Sequence, residues 1–198
     1  MVRRPRGPDP GFTLLELLFV VAIAGTLAAV AVPQGLRTLE DFHTRSAARY
    51  LAQRIGALRF DAIKRSTTHG LRFIPSGADY AVVVVADGNR NGLRTAELQS
   101  GVDKTLSEAD RLEWHFPSVA FGLIEGVPDA DGASSASTDG VRVGSARLLA
   151  MNADGTSTSG TLYLRGRGLS QYAVRVLGVT GRVRVLKFDH SRRRWTEI

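Results

Sequence analysis

Gly11-Phe12-Thr13-Leu14-Leu15-Glu16-Leu17 opens a 21-residue apolar run, Phe12 to Val32, in which Glu16 is the sole ionisable side chain. At about 1.5 Å rise per residue such a run makes a helix of roughly 31 Å, enough to cross the hydrocarbon of a bilayer. The residues before it, 1–11, hold Arg3, Arg4 and Arg6 against Asp9. A basic leader of this kind stays on the cytoplasmic side of a membrane. A carboxylate near an apolar core costs about 2.5–3.5 kcal/mol on insertion scales, and less near the interface, so Glu16 needs a partner. Two starts for the mature chain follow from these residues alone: Val32 after a secretory-type cut at Ala29-Val30-Ala31, or Met1 as an unprocessed anchor.

The Gly-Phe-Thr-Leu-Leu-Glu wording resembles the type IV pilin and pseudopilin signature. That resemblance implies that prepilin peptidase cuts after Gly11 and N-methylates Phe12. It also implies that Glu16 serves assembly by pairing with a Phe12 amine, its own or a neighbour's. Two opposite charges that neutralise each other where water is scarce give this a physical basis.

The chain has 198 residues and no cysteine, so disulfides and Cys-based metal or redox chemistry are excluded. Formal net charge is +7; the leader carries +2 of it, leaving +5 on residues 12–198. Hydrophobic content of 43% and charged content of 23% are those of a folded protein.

Pro33 follows the apolar run and is read as a helix kink, with Gln34-Gly35 loosening the same turn; the alternative is a break between two helices. Ala47, Leu51, Ile55, Leu58 and Ala62 then form one apolar stripe, so 34–65 reads as an amphipathic continuation of the 12–33 membrane and assembly helix. Arg49, Gln53, Arg54, Arg59 and Asp61 lie between them and suit a solvated or subunit-facing side. Lys64-Arg65 suits the helix C-terminus.

From residue 66 to 198 the pattern is β. Strands are expected at 71–75 and 80–86, joined by a turn at Ser76-Gly77, with Val82-Val83-Val84-Val85 as a buried central strand. Further strands are expected at 111–117, 119–124 as its partner, 147–151, 161–164, 172–179, 182–188 and 194–197. The segment 126–140 reads as a mobile surface loop. The fold class is therefore α+β: one long N-terminal helix packed on an antiparallel β domain.

Three further stretches sharpen the family resemblance. They are Asn152 to Leu164 with its G-x-x-x-x-G-T turn, Tyr172-Ala-Val-Arg-Val, and Gly181-Arg182-Val183-Arg184. Together with Asp87-Gly-Asn-Arg-Asn-Gly92 they resemble the GspH/FimT subgroup, which are minor pseudopilins of type II secretion and minor type IV pilins. The resemblance implies two small antiparallel sheets. It also implies a structural subunit of an inner-membrane filament whose partners are other pilin or pseudopilin subunits, prepilin peptidase and membrane lipid.

Catalytic and metal patterns are weak. Asp87-x-Asn89-x-Asn91-Gly92 begins like a calcium loop, but its twelfth position is Leu98, so a turn with Asn and Gly at positive φ is expected. His43, His69, His115 and His190 are dispersed, and no nucleophile elbow or phosphate loop occurs. No enzyme activity, cofactor or metal is expected. The basic tail is richer. Nine Lys/Arg stand against Asp189 and Glu197 between Thr161 and Ile198. Arg182 and Arg184 share one strand face, with Arg192, Arg193 and Arg194 beyond. Such a patch serves as a solvated face, a contact for acidic subunits or lipid, or a non-specific DNA-binding surface.

Overall fold

A computed structural model describes residues 11–133 and 137–198; the basic leader, 1–10, lies outside the described residues. The chain divides into two compact units, residues 1–39 and 40–198. Helix α1, Leu14–Arg65, contributes to both and continues through Pro33, so the expected alternative of two separate helices is not seen. In the first unit every described residue is exposed, including Phe12, Leu17, Phe19, Ile23 and Val30. This segment is long and apolar enough to span a membrane.

In the second unit the same helix turns amphipathic. Ala47, Leu51, Ile55, Leu58 and Ala62 are buried as the spacing predicts, joined by Thr44 and Ala48. The helix stops at Arg65 because Ser66 takes φ 50° and the Thr67 N–H donates back to Ala62 O at 3.1 Å, satisfying an end carbonyl.

The first sheet runs β3-β2-β1-β7, with β1 His69–Ser76, β2 Asp79–Ala86, β3 Lys104–Thr105 and β7 Leu148–Met151; β4, Asp110–Arg111, also pairs β2. β1 and β2 form the expected hairpin about Gly77. The valine run is buried on both faces of β2. Val82 joins the main core, while Val83 and Val85 pack with Leu148, Leu93 and Leu98 on the opposite side. Leu98 belongs to α2, Thr95–Ser100, an element the sequence reading left out.

The second sheet runs β11-β10-β9-β8-β5, with β6 also on β8. Its strands are β5 Ala120–Phe121, β6 Val141–Val143, β8 Gly160–Arg165, β9 Gln171–Leu177, β10 Arg182–Asp189 and β11 Arg194–Glu197. All pairings in both sheets are antiparallel. One face presents Leu162, Leu164, Tyr172, Val174 and Val176 to the main core with α1. The other carries Tyr163, Ala173, Leu186 and Phe188 in a smaller cluster with Leu123, Val127 and Trp195.

Two expectations fail. The 111–117 stretch is not a strand: after Arg111 the chain enters α3, Leu112–His115, with Leu112 buried and Trp114 64% exposed. Its expected partner, 119–124, contributes only β5 and pairs β8 instead. Alternation of apolar residues was the misleading signal, since Trp114 stays largely exposed and Asp110 is anchored by Arg54 and His115. The described part of 126–140 is a loop, as expected, and one end of it is anchored. Val127 is buried, and Trp195 Nε1 donates to Pro128 O at 2.9 Å. Residues 134–136 lie outside the described residues.

Candidate functional site

The N-terminal segment is built by its own first turn. Thr13 caps the helix: its Oγ1 accepts the Glu16 N–H at 3.2 Å, and its carbonyl accepts the Leu17 N–H at 3.1 Å. Glu16 therefore sits three residues past a capping threonine, where the partial positive charge of the helix end favours a carboxylate. The Thr13-x-x-Glu16 spacing is a capping-box signature, legible in the sequence and missed there. Phe12 and Glu16 both face outward, Phe12 83% exposed, on a helix with no neighbour for its apolar surface in the first unit.

The β domain is tied to the C-terminal half of α1 by polar contacts that the expectation of a solvated face did not foresee. Arg54 Nη1 reaches Asp110 Oδ2 at 2.5 Å, and His115 Nε2 lies 2.8 Å from the other oxygen. Burial pushes the Asp110 carboxyl up, but His115 and Arg54 outweigh it and hold it below the ordinary value. Asp41 takes hydrogen bonds from Tyr172 OH at 3.0 Å and Lys187 Nζ at 2.8 Å. Burial pushes Lys187 down; the contacts with Asp41 and Tyr172 together outweigh it and leave the amine raised. Arg59 Nε donates to Gly155 O at 3.0 Å.

That last contact accounts for two of the motif glycines. Gly155 has φ 83° and Gly181 φ 61°. A Cβ on Gly181 would collide with Gly155 O and stand 2.6 Å from Arg59 Nε. The G-x-x-x-x-G-T and G-R-x-R turns therefore meet over one arginine of α1, which needs glycine for both backbone shape and space.

In the Asp87–Gly92 loop the carboxylates serve the backbone. Asp87 Oδ1 accepts the N–H groups of Asn89 and Arg90, Oδ2 that of Gly92, and Asp103 those of Gly88 and Arg94. Asn89 and Asn91 donate to Glu97. The positive-φ residues here are Arg90 and Gly92, not the asparagines. No cluster of metal-ligating side chains occurs among the described residues.

Arg182 and Arg184 do share the outer face of β10, with Leu186 and Phe188. They are not unpaired cations: Glu197 on β11 lies 3.8 Å from Arg182 and 3.7 Å from Arg184. Arg192 lies 3.8 Å from Asp189, while Arg193 occupies the β10–β11 turn at φ 49°. Arg194 begins β11 opposite Asp189. The five predicted arginines thus fall in two groups, a strand pair and a turn. Two more lie on the same outer face: Arg175, one of the nine basic residues of the tail, and Arg142, which lies outside it. Strand register aligns Arg142, Thr161, Arg175 and Arg184 across β6, β8, β9 and β10. Only pairing register brings them together, so spacing along the chain carries no sign of it.

Comparison with known proteins gives three findings. Residues 9–32 match the prokaryotic N-terminal methylation motif. The pilin-like protein PilA1 of Thermus thermophilus is 38% identical over 81 residues, covering 40% of this chain and 51% of that protein. The chain thus spans about half the length of this relative. The minor pseudopilin EpsH from the Type 2 Secretion System of Vibrio cholerae aligns over 73% of this chain and 97% of its own, at 18% identity and TM-score 0.40. The chain thus carries a prokaryotic N-terminal methylation motif on its capped apolar segment and is similar, over 81 residues, to a pilin-like protein.

Proposed function

We propose that the chain is a minor pilin or pseudopilin, a structural subunit without catalysis that starts or caps a filament at the inner membrane. Prepilin peptidase removes residues 1–11 behind Gly11 and methylates the new amine of Phe12. Residues 12–33 stay in the membrane, 34–65 carry the helix out, and 66–198 form the periplasmic domain, with Pro33 as the kink. The observation that carries this reading is Glu16: a lone carboxylate on an apolar helix that is exposed on all sides. Burying that helix among other subunits leaves the carboxylate uncompensated unless a Phe12 amine meets it.

The test has two readouts on protein from its native cells. Mass spectrometry of the mature N-terminus should give methylated Phe12; a start at Val32 or Met1 removes the reading. Glu16→Ala should keep membrane insertion yet drop out of the filament fraction. Type II secretion, in the manner of a GspH-like subunit, is the setting we favour.

A second reading is a FimT-like minor pilin that handles DNA. The arginines of the second sheet's outer face support it, because a row of cations at strand spacing suits a phosphate backbone. Loss of secretion without loss of DNA uptake on deletion favours the first setting, and the converse the second.

A further inference from the structure

The segment between β5 and β6 lays two aspartates on the arginine row. Asp129 pairs with Arg142, and Asp131 with Arg175. These residues, with Thr161 and Tyr163, line a shallow open cavity of about 280 Å³. The strap is fastened from below. Ala130 N–H donates to Tyr163 OH at 3.0 Å, Trp195 holds Pro128, and Val127 is buried. Arg142 also stacks over the Tyr163 ring, 5.1 Å from its centroid.

Neighbouring strands lie about 4.8 Å apart, so Arg142, Arg175 and Arg184 mark a line of roughly 14 Å across β6, β8, β9 and β10. That matches about four phosphates of one strand of a duplex, at about 3.4 Å per charge. Each arginine on the line already holds a carboxylate from its own chain: Asp129, Asp131 or Glu197. Asp131 is 67% exposed, and the Glu197 contact is 3.7 Å long. The Arg175–Asp131 and Arg184–Glu197 pairs contribute little and exchange readily for a better anion, whereas the Arg142–Asp129 pair, about three-quarters buried and with Arg142 also bonded to Ser137 O and Asp139 O, yields last.

We propose that this row is a phosphate-binding surface for nucleic acid, and that the 126–133 strap is its built-in competitor. The inference rests on the DNA reading above and adds a site, Arg142 and Arg175, and a mode of control. Asp129 and Asp131 occupy the guanidinium groups until a polyanion, binding several at once, displaces them. Arg182 and Arg184 at the end of the row give the first foothold.

The experiment uses the full chain in neutral detergent micelles and a fluorescein-labelled DNA duplex, read by anisotropy at about 50 and about 200 mM salt. Asp129→Asn with Asp131→Asn keeps shape and removes two competing charges. It should bind about 5–10-fold tighter at the lower salt, with a log–log salt slope steeper by about one to two. Adding Arg142→Gln and Arg175→Gln to that variant should return affinity to the parent value. Two results overturn the proposal: no gain from the aspartate changes, or a gain that survives loss of both arginines. Parent binding that needs Arg182 and Arg184 but ignores the strap changes keeps the DNA reading and sinks this one. No DNA binding by any variant sinks both. Capture of polyglutamate rather than DNA by the aspartate variant also overturns the phosphate assignment, and marks the face as a dock for acidic polypeptide.

Discussion

The helix from Leu14 to Arg65 is one element chemically divided between two regions. Between residues 14 and 39 its leucines and valines are exposed; between 40 and 65 Ala47, Leu51, Ile55, Leu58 and Ala62 form a buried stripe. The first region has no core of its own among the described residues. The second is the spine of a domain that contains its own core. Sequence pattern separates them: an apolar run with no polar face has no inside of its own, whereas a four-and-three spacing assigns one.

The sharpest way to break this comparison is to cut matching leucines. Leu51→Ala empties a site that is 2% exposed, in contact with both sheets' main core. It should cost about 2–5 kcal/mol of domain stability. Leu18→Ala, 58% exposed, should leave the domain's stability unchanged while weakening filament incorporation. Denaturant unfolding in micelles, followed by fluorescence of the half-buried Trp195, measures both. Equal effects would mean that the two regions are not energetically distinct.

The next largest effect is at the Gly155–Gly181 contact. Gly181→Ala forces a Cβ against Gly155 O in a left-handed backbone, and should cost about 1–3 kcal/mol. A variant with unaltered unfolding midpoint would show that the two turns yield more easily than the geometry implies. Arg59→Ala, which removes the third member of that contact, should cost less.

Much of this division was legible in advance, and where legibility ended has physical causes. The helix stripe, the β1–β2 hairpin, the buried valine strand and the last four strands follow from periodicity and turn residues. Short strands such as β3 to β6 do not, because two or three residues carry no period. Trp114 misled for the related reason that an aromatic in alternation reads as half-buried, yet here it is 64% exposed. At the candidate sites, Gly11, Phe12 and Glu16 could be proposed from the sequence because the signature they belong to is contiguous. The line of Arg142 and Arg175 with Arg184 could not, since register alone makes it. The Asp129 and Asp131 contacts depend on a loop path that composition reads as mere solvation.

Acid should loosen the domain before it affects the exposed helix. Asp139 accepts from Tyr80 OH at 2.8 Å, Val141 N–H at 3.0 Å and Arg147 at 3.1 Å. Burial alone raises its carboxyl, but these donors outweigh it and leave the value lowered from 3.8. A lowered folded value contributes stability that is full above the unfolded value and lost as pH falls through the folded one. Asp139→Asn should therefore cost about 1–2 kcal/mol at neutral pH, and flatten the acid limb of a stability–pH curve below about 4. An acid limb identical to the parent's would assign that loss to other carboxylates, Asp110 first among them.

Asp79 works in the opposite sense and should give the smallest effect. It is 8% exposed; Oδ1 accepts the Phe121 N–H at 2.9 Å, and Oδ2 has no hydrogen-bond partner. Burial raises its carboxyl above 3.8 despite opposing bonds from the Phe121 and Tyr80 N–H groups. A raised folded value means the fold favours the protonated form. That contribution is full below the unfolded value and lost as pH rises through the folded one, leaving a residual cost at neutral pH. Asp79→Asn keeps the acceptor for Phe121 and removes the charge, so at neutral pH it should change stability by less than about 1 kcal/mol, in the stabilising direction. The pH series decides the matter: the parent should lose ground to the variant as pH climbs from about 4, and parallel curves would mean that the carboxylate is solvated after all.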